Sequence, residues 1–264
     1  MGVLNVTPDS FTGDGLLNRP DEIPRMLDAM HAGGADMVDI GGESTRPGFL
    51  PVSAEEELHR VLPAIEAAVA RGISVSIDTR KAVVAREALR AGAVMVNDVS
   101  GLADGEMATV AAEFGAWLVL MHNQRLNQDI DPMPPILEGL ERLAARAVDA
   151  GVKPSRLIVD PGLGFGKNWR LNLQVVRDLH RLRSLGYPIL VGPSRKGTIS
   201  KVLGVPADDR LEGTLALVTL CIAGGASLVR VHDILPCVRA ARITDALLGD
   251  AYASRGTSSD RVRD

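Results

Sequence analysis

A short apolar run, a polar residue at its end, and then a helical pattern recur eight times along the 264 residues. That recurrence limits the fold more than any other feature. The first run is Met1 to Asn5, and a helix from about Asp21 to Ala32 stops at Gly33-Gly34 before the strand Met37-Val38-Asp39-Ile40. A helix capped by Ser53 with Glu56 three residues on leads to Ile73 to Ile77, ending in Asp78. The helix Lys81 to Ala91 precedes Val94 to Val96 with Asn97-Asp98, and the helix Gly105 to Phe114 precedes Trp117 to Met121 with His122. His122 to Pro135 reads as an irregular loop, because Pro132, Pro134 and Pro135 punctuate it. The helix Ile136 to Ala150 leads to Leu157-Ile158-Val159 and Asp160, and then come Ile189 to Val191, Ser227 to Val231 and a last helix, about Leu235 to Leu248. Apolar runs this short and β-branched suit strands buried on both faces. Eight right-handed parallel crossovers close most simply into a (β/α)8 TIM barrel, an α/β fold.

An open doubly wound sheet is the structural alternative, and it lacks a nucleotide fingerprint here. The loop Asp160-Pro161-Gly162-Leu163-Gly164-Phe165-Gly166-Lys167 invites a reading as a phosphate cradle. It fails as a P-loop, with Pro161 and Asn168 where Gly and Ser or Thr are needed, and its G-x-G-x-G spacing is not the dinucleotide pattern. Lys167 is expected to cover the strand end with its stem while its charge stays wet.

Barrels of this length commonly form one unit, so residues 1–249 are expected to be a single domain and the polar, patternless 250–264 a fraying tail. Met1 stands almost inside a strand, so a short natural segment is expected to precede it. The 29 basic and 33 acidic residues are interspersed, with no basic stripe, which argues against nucleic acid. No apolar run approaches a membrane span and no basic-then-apolar leader opens the chain, so a cytoplasmic enzyme is expected. Cys221 and Cys237 lie in apolar helical contexts and read as reduced, buried thiols.

In a barrel the C-terminal strand ends face one mouth, which gathers Asn5, Asp78, Asn97, His122, Asp160, Ser194, Lys196, Arg230 and His232. Arg230 and His232, two apart on a strand, share a face. Any one of these alone would read as a solvated terminus or helix cap, Arg46 as an exposed loop cation, and His232 as a hydrogen-bonded core imidazole. Together they divide by chemistry. Asp78, Asn97 and Asp160 suit the N–H and C=O edge of a heterocycle in a dry pocket. Asn5, Thr45, Arg46, Arg230 and His232 suit an anion such as phosphate, or its metal.

Seven segments then carry a resemblance: Asn5 to Phe11 (NVTPDSF), Gly41 to Gly48 (GGESTRPG), Ser76 to Thr79 (SIDT), Asn97-Asp98, Asp160 to Lys167 (DPGLGFGK), Ser194 to Lys196 (SRK) and Arg230 to Asp233 (RVHD). In this order, about one per strand end, they resemble the dihydropteroate synthases. The resemblance implies a folate-pathway transferase, a sulfonamide target in that family, joining 6-hydroxymethyl-7,8-dihydropterin diphosphate to 4-aminobenzoate with release of diphosphate. It implies that Asp78, Asn97, Asp160 and Lys196, with Met121, hold the pterin. It implies Asn5, Arg46, Arg230 and His232 at the diphosphate, with Asn5 beside Mg²⁺, and Thr45, Arg46, Pro47, Phe165, Ser194 and Phe11 around the aminobenzoate. Asp160, Lys196, Arg230, His232 and Asp9 would carry the catalysis, and the first two loops would close over the site. A homodimer is implied as well, with the small apolar stretch Cys221 to Ala226 suited to packing against a neighbour.

The chain departs from the family at Phe11-Thr12-Gly13-Asp14-Gly15, where Ser-Asp-Gly-Gly usually follows the Phe, and at Met121-His122-Asn123-Gln124, which lacks the usual Gly and Pro. The rival readings are the pterin barrel of a methyltetrahydrofolate corrinoid methyltransferase, a non-catalytic pterin-binding paralogue and, more distantly, a phosphosugar isomerase. The first has no diphosphate to expel, and the anion-side residues argue against it.

Overall fold

The computed structural model describes residues 1–7, 20–44 and 51–249. The expectations for Asp9, Phe11, Thr45, Arg46, Pro47 and the tail 250–264 lie outside the described residues. Eight parallel strands form the inner wall: β1 (Gly2–Asn5), β2 (Met37–Gly41), β3 (Ser74–Asp78), β4 (Met95–Asp98), β5 (Trp117–Met121), β6 (Leu157–Asp160), β7 (Leu190–Val191) and β8 (Leu228–Val229). The first six pair in sequence order and the last two pair with each other. Two bridges close the ring, Val159 with Ile189 and Gly2 with Val231. Val159 N–H donates to Pro188 O at 2.9 Å and Val3 N–H to Val231 O at 3.0 Å across those seams.

Around the wall lie α1 (Ile23–Ala32), α2 (Ala54–Val69), α3 (Ala82–Arg90), α4 (Met107–Phe114), α5 (Met133–Asp149), α6 (Trp169–Arg177), α7 (Gly197–Leu203), α8 (Leu211–Ala223) and α9 (Ile234–Leu248). The sequence predicts one helical region between β7 and β8, and the structure has two helices there. Gly204, in the left-handed conformation, ends α7 and frees the chain to restart at Leu211. α5 begins inside the stretch predicted to be irregular: Pro132 is its N-cap and Pro134 sits in the first turn, where a missing N–H costs no intrahelical bond. The Ser53 cap holds as read, its Oγ accepting from Glu56 N at 3.1 Å.

Strand periodicity sorts the core into two regions. Leu4, Ile40, Ile77, Val96, Leu118 and Leu120 point outward and pack with the helices. Met95, Val119, Ile158 and Leu190 point inward and plug the barrel, with Met1, Met37, Trp117 and Leu228 packed on them. One step toward the mouth, the inward positions turn polar. Asn5, Gly41, Asp78 and Asn97 lie in one register row, and Met121 pairs with Asp160. The apolar plug thus forms the floor on which the polar mouth stands.

Candidate active site

The mouth encloses a cavity of about 430 Å³ lined by Asn5, Asp78, Asn97, Met121, Asp160, Phe165, Ser194, Lys196, Arg230 and His232, with other backbone and side-chain groups. Every described residue given a pterin, aminobenzoate, diphosphate or catalytic role from the sequence therefore reaches it, whereas His122, expected at the same mouth, does not.

The deepest polar layer joins groups that the sequence reading kept apart. Arg230 donates from Nε to Asp39 Oδ2 at 2.5 Å and from an Nη to Asp78 Oδ2 at 2.7 Å. Asn97 Nδ2 donates to the same Asp39 oxygen at 2.9 Å. So the cation assigned to the diphosphate is paired with the acid assigned to the heterocycle. Burial pushes Asp78 well above the usual carboxylate range while Arg230 pulls it back, and Asp39, Glu57 and Asp98 add upward pressure. Asp39, fully buried, is a site residue the sequence reading missed. Its signal was an acid at an inward position, two residues before Gly41, in an otherwise apolar strand.

Asp39 Oδ1, Asp78 Oδ1 and Asn97 Oδ1 in this layer are buried and make no hydrogen bond, and Asp78 and Asn97 are the two of these residues that face the cavity. Buried acceptors left unpaired are costly. Their place on the cavity suits the Asp78 and Asn97 oxygens to the N–H groups of a bound ring. Asp160, at the end of β6, completes the set and accepts from Gly162 N at 2.7 Å. Burial raises its carboxyl to about 6, against the downward pull of the Gly162 N–H, Lys196, Lys167 and Arg230. At neutral pH it is mostly ionised.

The anion side is organised by the last two strand ends. His232 N–H donates to Ser194 Oγ at 3.2 Å, and His232 Nδ1 lies 3.0 Å from the same oxygen. Ser194, read from the sequence with the aminobenzoate, is thus bound to the anion-side imidazole. Arg195 adopts the left-handed backbone conformation (φ 55°) and grips Asp233 with both Nε and Nη. That grip ties the loop after β7 to the loop after β8. Across the cavity Lys196 Nζ stands 5.0 Å from the centre of the Phe165 ring, a cation–π distance.

At the mouth's other edge Glu43 Oε2 accepts from Val52 N at 2.9 Å and from Lys81 Nζ at 2.7 Å. Burial raises Glu43, but Lys81, the Val52 N–H and Arg80 outweigh it and hold its carboxyl below the usual range. Lys81 also binds the fully buried Glu57. This brace fixes the two ends of the second loop, and sequence reasoning did not single it out.

Two expectations need correction. His122 is absent from the cavity lining. It follows Met121, which takes the inward position, so its ring points outward against Gly139 of α5, where a Cβ would stand 2.8 Å from the imidazole Cδ2. Both ring nitrogens are buried without a partner, and burial, helped by Lys167, lowers its pKa to about 4. Lys167 is not wet. It is 9% exposed, and its ammonium is enclosed by backbone carbonyls, with burial lowering its pKa to about 8 against the upward pull of Asp160.

A family model described as pterin binding enzyme matches residues 1–232. The dihydropteroate synthase of Clostridium beijerinckii is 46% identical over 94% of this chain and 93% of its own length. The chain belongs to the dihydropteroate synthase family. The Bacillus subtilis dihydropteroate synthase is 44% identical over 97% of this chain and 90% of its own length. Among solved structures, a Clostridium difficile dihydropteroate synthase in the presence of pteroic acid superposes with a TM-score of 0.88 at 47% identity, covering 94% of this chain and 95% of the other. The Xanthomonas albilineans dihydropteroate synthase with 4-aminobenzoic acid gives a TM-score of 0.88 at 39% identity over 94% and 92%. These family members are similar to the chain along almost its whole length.

Proposed function

We infer that the chain condenses 6-hydroxymethyl-7,8-dihydropterin diphosphate with 4-aminobenzoate, giving 7,8-dihydropteroate and diphosphate. The observation that carries this is the pair of buried, unpaired acceptors at Asp78 and Asn97, residues that line one cavity with the buried carboxylate of Asp160. A pterin presents ring and amino N–H groups along one edge, and those three residues supply the complementary acceptors. Met121 and Lys196 wall the ring.

In the reaction the methylene C–O bond breaks with its electron pair leaving on the diphosphate. The amine's lone pair then forms the C–N bond, and the amine loses one proton. Positive charge grows on the pterin while the C–O bond lengthens, and the Asp160 carboxylate favours it electrostatically. Arg230 and His232 favour the negative charge gathering on the leaving group. The residues around Lys196 and Phe165 hold the aminobenzoate, with Lys196 as the counter-charge for its carboxylate. No covalent enzyme intermediate is required.

Mg²⁺ fits the donor set on the anion side. Asn5 offers one amide oxygen, and among the described residues no group of three or more His, Cys, Asp or Glu could hold a metal ion. A hard ion that completes its shell with water and phosphate oxygens suits such a sparse site, whereas Zn²⁺ wants three or four protein ligands. When bound, Mg²⁺ would neutralise charge on the departing diphosphate. Asn5 is the residue that would hold it.

We also propose a cytoplasmic homodimer. Leu220 on α8 and Leu235, Ile243 and Leu247 on α9 are exposed apolar side chains on two helices that pack together, and such a surface suits a second copy. Cys221, which opens the stretch offered for that surface, is itself buried, as is Cys237, in keeping with the sequence reading of both, and both thiols are free. Free thiols suit a reducing compartment. Among the described residues, no helix is long and apolar enough to cross a membrane.

The test is diphosphate release from the pterin diphosphate, with and without 4-aminobenzoate and with and without Mg²⁺. Release that is enzyme-dependent, accelerated by the amine and abolished by EDTA is the expected result. Release that needs neither the amine nor the protein would overturn the transferase reading, and release untouched by EDTA would remove the metal.

A further inference from the structure

We propose that Lys167 is a positioning residue for the aminobenzoate side of the site, because its ammonium organises the glycine loop that carries Phe165. The lysine's Nζ donates to three backbone carbonyls: Phe165 O at 3.0 Å, Gly162 O at 3.1 Å and His122 O at 3.2 Å. An ammonium has three N–H donors, and here each has an acceptor. Two of the acceptors belong to the loop after β6 and the third to the end of β5, so the ion pins that loop onto its neighbouring strand. Hydrogen bonds made by a charged group are stronger than neutral ones.

The loop's backbone is otherwise tied by Phe165 N–H to Gly162 O at 3.1 Å, Leu126 N–H to Gly166 O at 3.0 Å and Gly162 N–H to Asp160 Oδ1 at 2.7 Å, none of which brings a positive charge to the three converging carbonyls. Gly162, Gly164 and Gly166 all have positive φ, a conformation glycine adopts without steric cost but also without preference. A Cβ at Gly162 would overlap the His122 carbonyl, and one at Gly166 the Gln124 carbonyl. The chain therefore runs against β5 too closely for side chains to fill the gap, and the carbonyls converge on one point. Without the ammonium three oxygens would face one another in a space almost closed to water. Asn172 buttresses the same turn, accepting from Gly164 N at 3.0 Å and donating to Lys167 O at 3.4 Å.

The consequence reaches the substrate side through Phe165. Its carbonyl is one of the three acceptors, and its ring stands 5.0 Å from Lys196 Nζ. Loss of the cage ion frees the Phe165 backbone and unsettles the wall on which the aromatic amine stacks. Asp160 meets this change through Gly162 N–H, which donates to its Oδ1 at 2.7 Å, but its backbone does not depend on the cage. It is anchored by its own strand, with His122 N donating to Asp160 O at 2.9 Å. The proposal rests on the assignment of Phe165 to the aminobenzoate.

Lys167→Met tests it, since methionine keeps most of the apolar stem and removes the three donors. The expected result is a KM for 4-aminobenzoate raised about 10-fold or more, on the scale of the hydrogen bonds lost, with pterin diphosphate affinity by calorimetry changed less than about 3-fold. Lys167→Ala provides the second measurement, with ethylammonium or propylammonium added back and the matching neutral alcohols as controls. Rescue of the aminobenzoate KM by the ammonium ions alone supports a positioning role. An unchanged KM, an equal loss for both substrates, a K167M chain that does not fold together with no rescue of K167A, or rescue by the alcohols equally would overturn it. Wild-type turnover measured alongside separates failure of this proposal from failure of the transferase reading.

Discussion

Asp160→Asn is expected to lower turnover by about 10²–10³-fold, the range found when one preorganised electrostatic group is removed from a catalytic site. Asparagine keeps the shape and still offers an oxygen to Gly162 N, which donates to Asp160 Oδ1 at 2.7 Å. What it loses is the negative charge. Asp160 is 6% exposed, so water screens that charge poorly and its effect on a cation forming beside it is large. A second signature follows from titration. Burial lifts the carboxyl to about 6, and only its ionised form favours the pterin cation. Activity should therefore rise with pH through about 6, and the acid limb of kcat/KM should vanish in the asparagine variant. Steady-state kinetics from pH 5 to 8 give both readouts, and an unchanged rate or an intact limb would count against the assignment.

The second large effect is on stability. Arg230→Ala is expected to cost about 3–5 kcal/mol, the range for a buried ion pair broken on one side. The reason lies in the partners it leaves behind. Asp39 is fully buried, Asp78 nearly so, and Arg230 is the cation paired with each of them. Two carboxylates side by side in a dry space cannot both stay charged, so protons must be taken up. The folded-state pKa of Asp78, already raised by burial against the pull of Arg230, then rises further above the unfolded value, and the folded state binds more protons than the unfolded one. Stability from such groups is present at low pH and lost as pH rises through the folded pKa. The deficit of the variant should thus be largest near pH 8 and smaller near pH 5. Urea melts at the two pH values check the sign, while calorimetry with diphosphate checks the anion role separately. Normal diphosphate affinity in the folded variant would leave Arg230 as a structural cation only.

His122 shifts the wild-type protein the other way. Its pKa is lowered to about 4 from an ordinary value of 6.5, so the unfolded state binds more protons between those values. Its contribution to stability is complete above about pH 6.5 and declines on acidification toward pH 4.

These cases also mark how far the sequence could be read. The strand ends were legible because a strand buried on both faces must be apolar until it leaves the core, and a polar residue marks that exit. Asp78, Asn97, Asp160 and Arg230 all declared themselves this way. Asp39 did not, since it lies inside a strand and is tolerated through Arg230, 191 residues away, and Asn97, 58 residues away, and no local pattern displays partners that distant. His122 looked like a mouth residue because it follows the fifth run. The inward position was already taken by Met121, and one step along a strand turns a side chain to the other face. Lys167 was misread for a different reason. A lysine beside glycines usually snorkels to water, and the carbonyl cage that holds it here is made by backbone conformations that composition does not reveal. The shortness of β7 and β8 and the extra helix α7 were not read, although Gly204 and Pro206 punctuate the chain between α7 and α8.

Product stoichiometry tests the central claim most directly. Wild-type protein supplied with the pterin diphosphate, 4-aminobenzoate and Mg²⁺ should form one dihydropteroate for each diphosphate released, with both rates falling together in the Asp160→Asn variant. Diphosphate released without dihydropteroate, or dihydropteroate formed as fast by the variant as by the wild type, would contradict the account.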